Sequence, residues 1–235
     1  MTRTPGVTAL ERLGFRGLGD AKAYDDGPLT YLNRGASSGG GRAVARSLLR
    51  RGATTSWWRG RDAMTALSPF LQDLAALRAR AWGQSADPAN LKRWIDALDA
   101  DAHHHVIYRQ GQMAAAFRFT IHATIDDLPD RSIYGVLTYG LPAPIAWFSR
   151  LVVDPDFRGA GLSSGLDWLA ANEPFRHGAR SILATGGSVA ANRFRHEVML
   201  RHGWAFLGEA LGTIDLPIVP AGPPRIYARF LTEAT

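Results

Sequence analysis

The spacing of apolar residues predicts most elements of the first half of the chain. A first strand is predicted at 54–61. Apolar residues recur at helical spacing in 68–82, after a Ser-Pro pair, and in 87–100, after an Asp-Pro pair, so both segments are predicted to be helices. The apolar runs 104–109 and 113–123 flank a Gln-Gly-Gln turn and predict two consecutive strands.

Strands and helices alternate in the second half. The run 145–153 is apolar almost throughout and predicts an unbroken buried strand. Leu162, Leu166 and Leu169 form the inner stripe of the helix that follows. The remaining predictions are a strand at 180–185, a helix between a candidate N-cap at Ser188 and a candidate stop at Gly203, and strands at 204–212 and 225–231.

The amino-acid composition excludes several kinds of functional site. The 235 residues contain no cysteine, so disulfides, thiolate metal sites and a cysteine nucleophile are excluded. The three histidines at 103–105 do not predict a metal site, because neighbouring strand residues face opposite ways; they are expected at the exposed start of a strand. No metal is expected. The chain has no apolar run long enough to span a membrane and no secretory signal at its start, which predicts a soluble, cytoplasmic protein.

The first 52 residues differ from the rest. A Ser/Gly run among arginines at 34–55 predicts a flexible or accessory N-terminal segment, 1–52, ahead of one domain at 53–235. The net charge is +6, and almost all of the positive charge is arginine, which suits anionic partners. Nucleic-acid binding by 34–51 ranks last among the functions considered, and a nucleic-acid partner is not expected.

The stretch "VVDPDFRGAGLSSG" at 152–165 carries the chemistry. It leads from a strand through a glycine-rich turn into a helix, so several backbone N–H groups are expected to point outward together and to favour an anion such as pyrophosphate. Gly159 and Gly161 allow close approach of the backbone, and Arg158 adds a charged donor. No lysine follows as in a Walker A loop, and the glycine spacing does not fit a dinucleotide fingerprint.

This stretch resembles the acyl-CoA motif of the GNAT acyltransferases. Arg158 and Gly161 fit the motif, Ser163 replaces its usual small residue, and Asn192 lies before Gly203-Trp204 at the spacing of the family's next motif. The resemblance implies an α+β fold with α/β three-layer architecture, in which helices flank a mixed, mostly antiparallel sheet of about seven strands. It also implies an enzyme that moves an acyl group from acyl-CoA, with acetyl-CoA or a longer chain as co-substrate, to a primary amine by direct transfer in a ternary complex.

The resemblance also assigns the co-substrate residues. The pantetheine arm would pair with the strand at Leu151, Val152 and Val153, and the Val152 backbone N–H would serve as the oxyanion donor. Asn192 would contact the pantetheine or a structural water. The pyrophosphate would bind the loop formed by Arg158, Gly159, Ala160, Gly161, Leu162 and Ser163.

A narrower likeness concerns the donor. The layout is similar to that of acyl-homoserine lactone synthases and long-chain N-acyl amino acid synthases, with Arg118, Ser149 and Arg150 at the matching positions. The lactone synthases commonly carry a glutamate where this chain has Trp147. The likeness leaves open a fatty-acyl donor delivered by an acyl-carrier protein, which would be an acidic partner.

The catalytic groups are less well defined. The family often has a tyrosine acid at the position of Met199, and methionine cannot donate a proton. His122 and Asp127 are the candidates for deprotonating or positioning the amine. A non-catalytic acyl-CoA sensor remains an alternative. The sequence does not identify the amine acceptor, which is expected to be a small molecule or a peptide. It also does not determine the length of the acyl chain.

Overall fold

The computed structural model describes residues 53–59, 69–186, 193–211 and 222–231. The strands of these ranges are β1 (Ala53–Arg59), β2 (His103–Arg109), β3 (Gln112–His122), β4 (Ile145–Val153), β5 (Ser181–Gly186), β6 (Ala205–Glu209) and β7 (Arg225–Phe230). Their α-helices are α1 (Pro69–Ala81), α2 (Pro88–Leu91), α3 (Arg131–Tyr134), α4 (Leu162–Arg176) and α5 (Arg193–Arg201). The N-terminal segment 1–52, the N-cap candidate Ser188 and the ligand candidate Asn192 lie outside the described residues.

The described strands form one sheet in the order β1-β2-β3-β4-β5-β7-β6. β4 and β5 are parallel, whereas β1–β2, β5–β7 and β6–β7 are antiparallel. A mixed, mostly antiparallel α+β sheet of about seven strands flanked by helices was the expectation, and it is confirmed.

The described residues divide into two compact units: those up to Arg118 and Arg150–Trp168 form the first, and those of Phe119–Ser149 and from Leu169 onward form the second. The first unit is built on the apolar face of α1. Its core consists of Phe70, Leu74, Leu77, Val106, Met113, Ala116 and Val152. Burying one such large side chain contributes about 1.5–3 kcal/mol relative to leaving it exposed, so this face fixes α1.

In the second unit, Arg229 of β7 donates to the backbone of helix α4 and to the backbone just after helix α5. Its Nε donates to the Ala171 carbonyl of α4 at 2.7 Å, and its Nη1 donates to the His202 carbonyl just after α5. Helix α5 ends at Arg201, Gly203 shortly after it has a φ of 78°, and the Trp204 N–H bonds back to the Met199 carbonyl at 3.1 Å. This is the predicted stop: glycine enters the left-handed conformation that closes a helix.

The prediction of one continuous helix at 87–100 is wrong. Helix α2 ends at Leu91, a 3-10 turn covers Lys92–Trp94, and Ile95 is extended. A second 3-10 turn, Ala97–Ala100, begins after Asp96, whose carboxylate accepts from the Leu98 N–H at 3.0 Å. The polar cap of this second turn overrides the helical spacing of the apolar residues.

The prediction that the histidines at 103–105 lie exposed is also wrong. His103, His104 and His105 have relative exposures of 6%, 0% and 0%. The His105 ring stacks on Phe117 at 4.8 Å, and His104 Nε2 lies 3.0 Å from the Asp99 carbonyl oxygen. Alternation does turn neighbouring side chains to opposite faces, but both faces of β2 are covered at this point.

Candidate active site

The loop between β4 and α4 has the backbone expected of an anion-binding turn. Gly159 and Gly161 have φ values of 77° and 72°, a left-handed conformation that side chains disfavour. Helix α4 then begins at Leu162, and the first N–H groups of an α-helix have no intrahelical acceptor. The turn therefore presents backbone donors and the positive end of the helix dipole, which suit a phosphate group.

The start of the loop is fixed by Asp154, which is 4% exposed. Its Oδ1 accepts from the Asp156 N–H at 3.1 Å, and its Oδ2 accepts from Arg80 Nε at 2.8 Å. Its own N–H donates to the Ala114 carbonyl of β3 at 2.9 Å. These bonds tie the entry of the loop to α1 and to β3.

The predicted residues of the loop point in different directions. Arg158 is exposed, and its Nη2 donates to the Ala81 carbonyl at the end of α1, at 2.7 Å. Ser163 is exposed in the first turn of α4, whereas the Leu162 side chain is 1% exposed. Leu162 can therefore offer a ligand only its main chain, and Ala160, between the two glycines, is half-buried.

β4 pairs with β5 from Ile145 to Phe148, and the second half of β4 follows this paired segment. The strand predicted at 145–153 is present over its full length, with one left-handed residue, Arg150, at a φ of 57°. The Val152 side chain lies in the core of the first unit at 4% exposure, and Leu151 and Val153 are half-buried. Any contact of Val152 with a ligand would come from its backbone.

His122 and Asp127, the candidate bases, come together at the end of β3 in the second unit. Burial lowers the pKa of the His122 imidazole, and a hydrogen bond to the Asp127 backbone opposes this shift. His122 Nε2 is 2.6 Å from Thr120 Oγ1. The Asp127 Oδ2 accepts from the Thr124 N–H at 3.0 Å and from its hydroxyl at 2.8 Å, so this carboxylate closes the loop.

Two of the predicted arginines belong to a buried ion cluster in the first unit, defined as Arg78, Arg118, Arg150, Asp96 and Asp99. Arg118 makes two bonds to Asp96, at 2.5 and 2.8 Å, and its Nη1 lies 2.7 Å from Asp99 Oδ1. Arg78 makes two bonds to Asp99, at 2.9 and 2.8 Å. Arg150 Nη2 donates to Asp96 Oδ2 at 3.1 Å.

The cluster holds three cations against two anions. Burial alone would raise the pKa of Asp99, but Arg78 and Arg118 hold it far below its usual range. Burial, followed by the charges of Arg78 and Arg118, lowers the pKa of Arg150. Arg150 Nη1 is buried and has no hydrogen-bond partner among the described residues.

Sequence reasoning found Arg118 and Arg150 but missed their partners. The sequence signal for these partners was the Asp-x-x-Asp spacing of Asp96 and Asp99. This spacing resembles a capping box, and the two residues form a capping box in the structure. Arg78 belongs to the helical pattern of α1, where arginine usually faces solvent. The pattern therefore did not indicate that Arg78 is buried.

The remaining predicted positions are buried: Trp147, Ser149 and Met199. Trp147 Nε1 donates to the Tyr134 hydroxyl at 2.7 Å, and burial raises the pKa of that hydroxyl. Ser149 is 9% exposed, and Met199 is 3% exposed inside α5. Within the described residues, no group of three or more His, Asp or Glu side chains could hold a metal ion, and no helix is long and apolar enough to cross a membrane.

No family model matches the chain, and no curated protein matches it in sequence. Solved structures do match. They include an acyl-CoA N-acyltransferase from Pseudomonas aeruginosa, with 17% identity, 75% of this chain and 99% of that chain covered, and a TM-score of 0.49. The AHL synthase LasI matches at 17% identity, with 75% and 88% covered and a TM-score of 0.49. FeeM, an N-acyl amino acid synthase from uncultured soil microbes, matches at 11%, with 76% and 90% covered and a TM-score of 0.49. At these identities and TM-scores the likenesses carry no argument about activity, and the fold class rests on the strand order and pairing of this chain.

Proposed function

We propose that the protein is a GNAT-type N-acyltransferase that moves an acyl group from an acyl-CoA thioester to a primary amine. The observation that carries the proposal is the loop after β4. Its two left-handed glycines lead into the amino end of α4 beside Arg158, where the sequence motif of the acyl-CoA family stands. A cytoplasmic location is part of this proposal.

The proposed donor site uses main-chain groups for most contacts. The pyrophosphate binds the backbone from Gly159 to Ser163, and Arg158 adds a charge-assisted bond. The pantetheine arm pairs with the backbone of Leu151–Val153, and Asn192 contacts it. The Val152 N–H donates to the thioester carbonyl oxygen as negative charge develops there.

The proposed transfer is direct. The amine nitrogen attacks the thioester carbon, the carbon–sulfur bond breaks, and CoA leaves as a thiolate. His122 accepts the amine proton, because burial favours its neutral form, and Asp127 lies beside it. A thiol with a pKa of about 8.5 is a tolerable leaving group, so an acid at position 199 is not essential.

The first test is calorimetric binding of acetyl-CoA and of a long-chain acyl-CoA to the full chain. Arg158→Gln is expected to weaken both donors, whereas Arg180→Gln, an exposed arginine of the second unit, serves as the control and should not. Turnover is then followed by thiol release, which has no protein background because the chain lacks cysteine. If neither donor binds, the assignment of the loop fails for CoA and an acyl-carrier-protein donor is tested next.

A second candidate function is an acyl-CoA sensor without catalysis. The buried Met199 at the family's acid position favours it. Donor binding without thiol release over a broad amine panel would support the sensor. An enzyme should instead lose activity in His122→Gln and show an altered pH profile, with donor affinity unchanged.

A further inference from the structure

The carboxyl end of helix α1 lies against the loop that we propose binds the pyrophosphate. Arg158 of the loop donates from Nη2 to the carbonyl of Ala81, the last residue of α1, at 2.7 Å. Arg80 binds Asp154 at the entry of the same loop, through Nε at 2.8 Å and through Nη2 at 2.7 Å. The end of α1 and the loop therefore lie side by side, although Ala81 and Arg158 are 77 positions apart.

Trp82, the residue that follows Ala81, is exposed at this point. Its relative exposure is 43%, whereas Trp94, Trp147 and Trp204 are at most 4% exposed. Within the described residues, no other aromatic ring contacts the Trp82 indole. The indole therefore contributes little to the core, and its face is open to a ligand.

The backbone that carries this indole is fixed. Gly83 closes α1 in the left-handed conformation, with a φ of 69°. The Trp82 N–H donates to the Ala79 carbonyl at 3.2 Å, and the Gln84 N–H donates to the same carbonyl at 2.9 Å. A tryptophan on a fixed backbone offers a ligand a large flat surface at a low cost in conformational entropy.

The two arginines beside Trp82 keep donors for a ligand. A guanidinium carries more N–H donors than the bonds described above use. The bonds of Arg80 to Asp154 use Nε and Nη2 and leave Nη1, on a side chain that is 42% exposed. Arg158 is exposed, and among the described residues it has no ion pair with a carboxylate. Both guanidinium groups can therefore bind a phosphate.

An aromatic face beside guanidinium donors matches the adenosine end of CoA. Nucleobases stack on aromatic side chains, and phosphate oxygens accept hydrogen bonds from arginine. Beyond the pyrophosphate, CoA carries an adenine and a 3′-phosphate. The phosphopantetheine arm of an acyl-carrier protein carries neither group, so it would leave this surface without a ligand.

We infer that Trp82 stacks on the adenine of CoA and that Arg80 binds its 3′-phosphate through Nη1, so that the donor is CoA rather than an acyl-carrier protein. This inference rests on the proposed N-acyltransferase function and on its assignment of the pyrophosphate to the loop. Trp82 and Arg80 determine which donor is bound and take no part in the transfer itself.

Calorimetric titration of the full chain tests this inference without turnover. The probes are CoA, 3′-dephospho-CoA and 4′-phosphopantetheine. Trp82→Ala is expected to weaken CoA and 3′-dephospho-CoA about 5- to 150-fold, the loss expected for one stacked base, and to leave 4′-phosphopantetheine unchanged. Trp82→Phe retains an aromatic face and should lose less. The matched control is Tyr139→Ala, which removes an exposed aromatic ring of the second unit and should change none of the affinities.

The 3′-phosphate contact is tested separately. Arg80→Gln is expected to weaken CoA about 10- to 100-fold, the loss expected for a charge-assisted bond, and to leave 3′-dephospho-CoA unchanged. An equal loss for both probes would overturn the assignment of Arg80, because it would mean that Arg80 acts only by holding Asp154 and the loop.

Two results would overturn the inference as a whole: CoA binds no tighter than 4′-phosphopantetheine, or Trp82→Ala binds CoA as wild type does. In both cases the loop would still bind the phosphate that the probes share. Failure of the proposed function would look different, because none of the three probes would then bind the wild-type chain. That result would overturn the assignment of the loop and this inference with it.

Discussion

Replacing Asp99 by Asn is expected to destabilise the first unit strongly. Asp99 is fully buried and receives two bonds from Arg78, at 2.8 and 2.9 Å, while Arg118 Nη1 lies 2.7 Å from its Oδ1. Asparagine has nearly the same shape but no charge, and its amide group would turn a donor toward guanidinium donors. Two buried cations would therefore lose a shared counter-ion.

The magnitude follows from the burial of the pair. Removing one partner of a buried ion pair costs about 3–5 kcal/mol, because the other charge is left uncompensated. With a urea m value of about 2 kcal/mol/M, the midpoint of unfolding should fall by about 1.5–2.5 M. The assay is urea unfolding followed by circular dichroism at pH 7.

The matched control is Asp126→Asn. This carboxylate is 85% exposed and lies 3.6 Å from Arg131, so the same chemical change should shift the free energy of unfolding by about 0.5 kcal/mol or less. Equal midpoint shifts for the two variants would refute the reasoning. They would mean that Arg78 and Arg118 reach other partners or water once Asp99 is neutral.

Three further outcomes are expected. Burial lowers the pKa of His104 from 6.5 to about 4, so between these pH values the unfolded chain binds the proton and the folded chain does not. The free energy of unfolding should therefore fall as the pH drops from 6.5 to about 4. His104→Asn should flatten this part of the curve of urea midpoint against pH. Gly203→Ala combines left-handed strain with a collision against Arg229 and should lower the Tm by several degrees, whereas Gly178→Ala, with a φ of 90° and no atom within 4 Å, should lower it less. Arg150→Gln should not lower the urea midpoint, because it removes the third cation of a cluster that has only two anions.

The sequence pattern was sufficient to predict the elements whose conformation depends on residues close to them in the chain. The apolar spacing of 68–82 predicted α1 because the same residues form the core of the first unit. The stop at Gly203 was predictable because only glycine enters the left-handed conformation readily. The glycine-rich loop after β4 was predictable for the same reason.

Contacts that are distant in sequence could not be predicted from spacing. Arg78 and Asp99 are separated by 21 positions, Arg118 and Asp96 by 22, and Arg150 and Asp96 by 54. The broken helix at 87–100 follows from the same contacts, because capping bonds and Arg118 hold Asp96 at the break. Apolar spacing carries no information about which buried cation needs which carboxylate.

Arg150 combines two unfavourable features at one residue. Its φ of 57° is a left-handed conformation within a strand, which costs a non-glycine residue about 1–2 kcal/mol. Its guanidinium lies near two other cations, has one bond to Asp96 at 3.1 Å, and leaves Nη1 unpartnered. Neither feature stabilises the fold, and both stand directly before Leu151–Val153, the segment that we propose binds the thioester. Because strain of this kind concentrates at functional sites, a stable Arg150→Gln variant that fails in the proposed acyl transfer would assign this arginine to the proposed reaction rather than to the fold.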